Sequence, residues 1–253
     1  MNSINFLRIN DRYLALQIKI YSNLIMLNKD NFLTQITGKE IYKSFKKNDL
    51  SQKNLQKPFF VHFKLKKPIS KKKIQEFNPH FSCKQINFKK KYQKKNLKIY
   101  QDCRPSTKKD RFEILKICKE NTSSSRFVKD NFFRKLLKYP LRYYWLENSF
   151  RNKSGKFLIV CLKNKKIGGF CLLQKIKKKL NINIICTSKK FSNQKIGSSI
   201  IAYVNNKIMK KYKIHLYAGT QDYNTHALSF YKKNKFIHMS TNYIYHIKNK
   251  GNK

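Results

Sequence analysis

Residues 192–231, SNQKIGSSIIAYVNNKIMKKYKIHLYAGTQDYNTHALSFY, decide how this chain is read. The strand-like run LNINIICTS leads into them. A loop holding Gly197 follows, and then SSIIAYVNNKIMKKY, where Ile200, Ile201, Val204 and Ile208 fall on one helical face. The strand HLYAGT comes next, and NTHALSFY is a second helix. A strand, a glycine loop and a helix make an anion site, because the free N–H groups at the helix start point outward and the helix dipole favours negative charge. The two commonest loops of this kind are excluded, since the chain contains neither GxGxxG nor GxxxxGK[ST].

Asn224 and Tyr231 are seven residues apart, almost two helical turns, so both are expected on one face of the second helix. A tyrosine with its ordinary pKa near ~10 is still a proton donor at neutral pH and can protonate a departing thiolate. His226 falls about 200° round from Asn224 at ~100° per residue and is expected to face away. Asp222 precedes the helix, where the dipole accounts for it. The base that strips the attacking amine is not identified; Asp222, Glu147, His215, His226 and a water relay are all open.

The strand ICTSKKF, the loop SNQKIGSSII and the helix NTHALSFYKKNKF resemble the acyl-CoA core of the GNAT superfamily of N-acyltransferases. Its patterns run approximately R/Q-x-x-G-x-G/A and N-x-x-A-x-x-x-Y-x-x-x-G-F. Asn224, Ala227, Tyr231 and Phe236 match the second, with Lys235 where glycine is usual. Gly197 matches the last position of the first, with Ser192 in place of Arg or Gln and Lys195 in place of the first glycine. SRFVKDNFF, YYWLENSF, NKKIGGF and the segment HLYAGTQDYNTHALSFYKKNKFIHMSTNYIYHIK (residues 215–248) are similar to the sugar-nucleotide branch of TDP-4-amino-4,6-dideoxygalactose (TDP-fucosamine) N-acetyltransferases. DNFLTQITGKEIYKS is similar to the start of their small amino-terminal domain.

The resemblance implies a mixed, twisted α/β (α+β) sheet of the GNAT fold, preceded by a smaller α+β domain. It implies acetyl-CoA as co-substrate, no metal, and direct attack by the amine of a nucleotide-linked amino sugar. Backbone groups of Ile185, Cys186 and Thr187 would hold CoA and polarise its carbonyl. Asn193, Gln194, Lys195, Ile196, Gly197 and Ser198 would bind the pyrophosphate, Asn224 would orient the pantetheine arm, and Tyr231 would be the general acid. Three alternatives stay open: acetylation of a protein or peptide amine, an inactive scaffold that binds polyanions, and a different sugar isomer or acyl group. A homodimer is compatible with each.

Upstream, KFLIVCLKN, a turn at Asn164–Lys166 and IGGFCLLQKI read as a hairpin. With only seven glycines in the chain, Gly168, Gly169 and Gly197 each mark a turn or a close backbone approach. CRPSTKKDRFEILKICKEN reads as a capped helix with Phe112, Leu115 and Cys118 on one stripe, and DNFFRKLLKYPLRYYWLENSF as a helical region interrupted near Pro140. Nearer the amino terminus, Leu14–Tyr21 alternates, and PFFVHFKLKK alternates with Phe59, Val61, Phe63 and Leu65 on one face. Ser70 can cap a short helix that Asn78-Pro79 stops, and Ile86 and Phe88 mark a further strand. His62 and His80 lack metal-ligand companions. The basic run KKKYQKKN is the expected linker, giving a small domain at 1–98, a GNAT domain at 99–248 and a disordered tail at 249–253.

Of 253 residues 40% are hydrophobic, enough for a packed core, and the formal charge is +46. The excess is lysine spread along the chain. Arginine occurs at eight positions and nowhere beyond Arg151, so the forks that read phosphates and bases are missing from the last hundred residues. The abundance of Lys, Asn, Ile, Tyr and Phe is the mark of an AT-rich genome, and nucleic acid is not the expected partner. The charge still draws anionic substrates in a salt-dependent way. The six cysteines form no CxxC pair and are expected as free thiols, and no apolar run of 18 residues is present. Both features fit a reducing cytoplasm.

Overall fold

The structure, a computed structural model, describes residues 27–46, 59–151 and 154–248. The expectations for Leu14–Tyr21 and for the tail at 249–253 lie outside them. The chain divides into two compact units, Met1–Ser82 with Ile244–Lys253, and Cys83–Tyr243. No helix among the described residues is long and apolar enough to cross a membrane.

In the first unit, β1 (Asn28–Lys29), β2 (Ile41–Ser44) and β3 (Phe60–Leu65) lie in the order β1-β2-β3-β10, where β10 is Ile237–Lys248. Helix α1 (Asn31–Thr37) starts where Asp30 accepts from the Leu33 N–H and ends at Gly38, whose φ of 67° is left-handed. Helix α2 (Lys71–Phe77) is capped by Ser70 and closed by Asn78, as its sequence suggests. The alternation read in β3 is incomplete, because Phe60 is as buried as Phe63. β3 lies between β2, its parallel partner, and β10, so both its edges are paired inside the sheet.

In the second unit the order is β10-β4-β9-β8-β7-β6-β5. Its strands are β4 (Phe81–Lys90), β5 (Cys103–Pro105), β6 (Lys156–Lys163), β7 (Lys166–Ile176), β8 (Lys179–Thr187), β9 (His215–Gln221) and the first part of β10. The expected hairpin is β6-β7, its turn made by Asn164 and Lys165 at φ of 50° and 61°, the pair of positive angles that a tight hairpin requires. β4, grouped by the sequence reading with the first part of the chain, instead pairs along β9 from Gln85↔Gln221 to Lys90↔Leu216.

Helices cover both faces. Against one lie α7 (Ile196–Tyr203, continued through a π-helical turn Val204–Met209 to Tyr212) and α8 (Thr225–Lys233). Ile196, Ile200, Val204, Ile208, Tyr231 and Phe236 pack there with Cys171, Leu173 and Ile182. Against the other lie α3 (Arg111–Glu120) and α6 (Leu141–Arg151), where Ile114, Ile117, Cys118 and Leu146 meet Phe170, Leu172, Ile184 and Cys186. The short helices α4 (Arg126–Lys129) and α5 (Asn131–Arg134) connect them. The stripe of α3 is rotated from the expected one: Phe112 is 78% exposed, and Ile114, Ile117 and Cys118 face the sheet. Arg104 fixes where α3 begins by gripping both carboxylate oxygens of Asp110 at 2.7 and 2.9 Å, which holds that carboxyl down to about 2. All six cysteines are free thiols.

Candidate active site

The site begins with one extra residue in β8. Leu172 is opposite Ile184 while Leu173 is opposite Ile182, so Asn183 is a bulge. Adjacent residues of β7 face opposite ways, so the bulge sends Ile182 toward α7 and α8 and Ile184 toward α3 and α6. It also re-aims the strand. β8 pairs in parallel with β9 only over Lys179–Asn181 and His215–Tyr217. Beyond that point the two strands separate, and the β9 side of Ile184–Thr187 keeps backbone groups with no strand to bond.

The gap opens into a cleft of about 1070 Å³, walled by the end of β8, the loop after it, the first turns of α7, Gly219 and Thr220 of β9, and α8. Ile185, Cys186, Thr187, Asn193, Gln194, Lys195, Ile196, Gly197, Ser198, Asn224 and Tyr231 all line it. The structure thus brings the residues singled out in the sequence to one place.

The loop is shaped by two left-handed residues, Asn193 at φ 61° and Lys195 at φ 60°. Lys195 precedes α7 and gives it no side-chain cap, so the first N–H groups of the helix are left for a ligand. Ile196 is buried and contributes backbone only. A Cβ on Gly168 would stand 2.5 Å from Ile196 Cδ1, and one on Gly169 2.8 Å from Ile196 Cγ2, so these glycines let α7 sit down on the sheet. Gly197 faces α8, where a Cβ would meet Phe230 Cε2 at 2.7 Å. Lys195 and Lys235, the two lysines that replace motif glycines, both have left-handed backbones, at 60° and 57°. This is the conformation in which glycine is free of strain.

A test separates the charge of Lys195 from its conformation. Lys195→Gly and Lys195→Ala both remove the ammonium, but only glycine relaxes the left-handed backbone, worth about 1–2 kcal/mol. The glycine variant is expected to melt a few degrees above the alanine variant, on the order of 2–4 °C per kcal/mol. Equal melting temperatures in a thermal scan would remove the strain from the account.

Asn224 is the N-cap of α8: its Oδ1 accepts from the Ala227 N–H at 3.2 Å, and its Nδ2 donates to Thr220 Oγ1 at 3.0 Å. Tyr231 is 4% exposed, with its ring 5.3 Å from Phe88, 5.3 Å from Phe230 and 5.0 Å from Phe236, centroid to centroid. Burial pushes its phenol above the ordinary value, and neighbouring Cys171 adds to this. The hydroxyl makes no hydrogen bond to any described residue, and Tyr231 lines the cleft.

Of the residues considered as base, only His226 lines the cleft, contrary to the expectation that it faces away. Asn224 is a cap outside the helix, so counting ~100° per residue from it misplaces His226. Asp222 accepts from the Lys84 N–H at 3.3 Å, Glu147 pairs with Arg111 at 2.6 Å, and His215 accepts from the Tyr92 N–H at 3.2 Å. Sequence reasoning missed Glu120, the one carboxylate among the lining residues, which accepts from the Lys189 N–H at 3.2 Å. It also missed Arg142, which reaches the cleft from α6 and donates to the Asn121 carbonyl at 2.9 Å. Lys90 is buried in the wall, bonded to the Asn234 carbonyl at 2.7 Å, and burial lowers its pKa, with Lys235 adding to the effect. The surplus of positive charge suits a polyanionic ligand.

The family described as acetyltransferase (GNAT) matches residues 114–236. No curated protein sequence matches the chain. Among solved structures, a functionally unknown conserved protein from Staphylococcus epidermidis superposes with a TM-score of 0.61 at 15% identity, covering 90% of this chain and 97% of that one. A GCN5-related N-acetyltransferase from Sphaerobacter thermophilus gives 0.52 at 12% identity, covering 75% and 59%. A tandem GNAT protein from the clavulanic acid biosynthesis pathway gives 0.51 at 5%, covering 75% and 64%. At these identities the likeness is one of fold: the mixed sheet with an additional region before the matched segment.

Proposed function

We propose that this chain, whose residues 114–236 match the acetyltransferase (GNAT) family, is a member of it that acetylates the amine of a nucleotide-linked amino sugar. Acetyl-CoA-dependent N-acetyl transfer goes with the family; the acceptor and the residue roles are our reading. Acetyl-CoA supplies the activated thioester. The uncapped N–H groups at Ile196–Ser198 bind its pyrophosphate, and the β8 edge at Ile185–Thr187 binds the arm and the thioester carbonyl. The neutral amine attacks that carbonyl carbon, the C–S bond breaks, Tyr231 gives its proton to the departing sulfur, and the proton shed by the new amide nitrogen returns to the Tyr231 oxygen through solvent. Asn224 acts through α8 and Thr220, holding the helix that carries Tyr231 in register.

The observation that carries the chemistry is Tyr231, a buried residue in the cleft lining whose phenol is held above its ordinary pKa and is unengaged by any described residue. For the acceptor, support comes from the guanidinium of Arg142 beside the Asn121 carbonyl, with Ser123 and Ser124 lining the same cleft, a polar and cationic lining suited to a phosphorylated sugar. The test measures CoA thiol release from acetyl-CoA at fixed salt with TDP-4-amino-4,6-dideoxygalactose, with an amine-bearing peptide and with no acceptor. Release that depends on the sugar nucleotide is expected. Release with the peptide alone would replace the acceptor, leaving the acyl-CoA site in place.

A further inference from the structure

The segment Gln93–Gln101, which begins within the basic run KKKYQKKN (residues 89–96) expected to be a linker, is a bound strap. The two adjacent asparagines of the π-helical turn each close a pair of hydrogen bonds on one strap residue. Asn205 Oδ1 accepts from the Gln93 N–H at 3.1 Å and its Nδ2 donates to the Gln93 carbonyl at 3.2 Å. Asn206 does the same for Leu97 at 2.8 and 2.9 Å. Ser199 Oγ accepts from the Tyr100 and Gln101 N–H groups at 3.1 Å each, and Gln101 Nε2 donates to the Gln194 carbonyl at 3.4 Å. The wider π turn lets consecutive residues both reach the strap. None of the strap lies within the 114–236 that the family matches.

The strap forms part of the cleft wall. Lys95, Lys98 and Tyr100 line it, as do Lys233 and Lys235 at the end of α8. Lys195 Nζ sits 4.3 Å from the Tyr100 ring, which joins the strap to the loop at the start of α7. With the helix start taking the pyrophosphate, the lysines of the strap are placed in the same cleft to meet a further anion. Coenzyme A carries one on the side of its pyrophosphate away from the thioester, the ribose 3′-phosphate. We propose that the strap is the recognition element for that phosphorylated adenosine end, with the ammoniums of Lys95 and Lys98 on the 3′-phosphate and Asn205, Asn206 and Ser199 as positioning residues. This rests on the acyl-CoA reading of the cleft.

The experiment compares CoA with 3′-dephospho-CoA by calorimetric titration at low and at physiological salt. The wild-type protein is expected to bind CoA about tenfold or more tightly than dephospho-CoA, the scale of a charge-assisted contact. Lys95→Gln with Lys98→Gln should remove that gap by weakening CoA alone, and Asn206→Ala should narrow it by loosening the strap. Equal wild-type affinity for the two ligands would overturn the proposal and leave the acyl-CoA reading standing. So would an equal loss of both ligands in the double variant. Binding of neither ligand by the wild type would overturn both.

Discussion

Tyr231→Phe is expected to lower turnover by about 10²–10⁴-fold, the range contributed by a positioned general acid. The substitution removes one oxygen and keeps the ring that packs against Phe88, Phe230 and Phe236, so the melting temperature and the affinity for acetyl-CoA should stay close to those of the wild type. Burial holds the phenol above its ordinary pKa, so it carries its proton throughout the neutral range and ionises only as pH rises past that ordinary value of ~10. An alkaline fall in rate below that point therefore belongs to another group. Steady-state kinetics on both proteins over this range test the assignment, and near-normal turnover in the variant would refute it.

Gly197→Trp is expected to abolish measurable acetyl-CoA binding, a loss of about 10²-fold or more. Hydrogen bonds from N–H groups to a charged ligand are worth roughly 1.5–3 kcal/mol each, and ~1.4 kcal/mol is a factor of ten, so displacing the N–H groups of Ile196–Ser198 from a pyrophosphate reaches that scale. The displacement is forced by geometry, since the first carbon of any side chain at 197 already falls 2.7 Å from Phe230 Cε2. The indole would push α7 from α8 or fill the site. A tryptophan there can also unfold the protein, so Gly197→Ala is the companion. It should cost about 1–3 kcal/mol by overpacking, and that cost should shrink when measured in a Phe230→Ala background, where the added methyl has room. Binding of acetyl-CoA by a folded Gly197→Trp protein at wild-type strength would move the pyrophosphate elsewhere.

Local signals carried much of this fold. The β6-β7 turn, the cap at Ser70 and the apolar face of α7 depend on residues a few positions apart, which a sequence displays directly. The pair of motifs around Gly197 and Tyr231 likewise named residues that share one cleft. Reading failed where a partner distant in sequence set the answer. The stripe of α3 was misjudged because Phe112, Leu115 and Cys118 and the true set of Ile114, Ile117 and Cys118 are both at helical spacing, and only the sheet chooses between them.

What the sequence determined by itself was therefore the order of the elements, their caps and turns, and which segments would meet a ligand, because these follow from backbone preference and short-range periodicity. Only the tertiary structure decided the shape of the site. The alternation of LNINIICTS does not reveal that Asn183 is a bulge, since a bulge exists only relative to the partner strand, and it is the bulge that parts β8 from β9. The basic run before Gln101 became a wall of the cleft because Ser199, Asn205 and Asn206, about a hundred residues on, satisfy its backbone. Hydrogen bonds across such separations leave no period in the sequence to read.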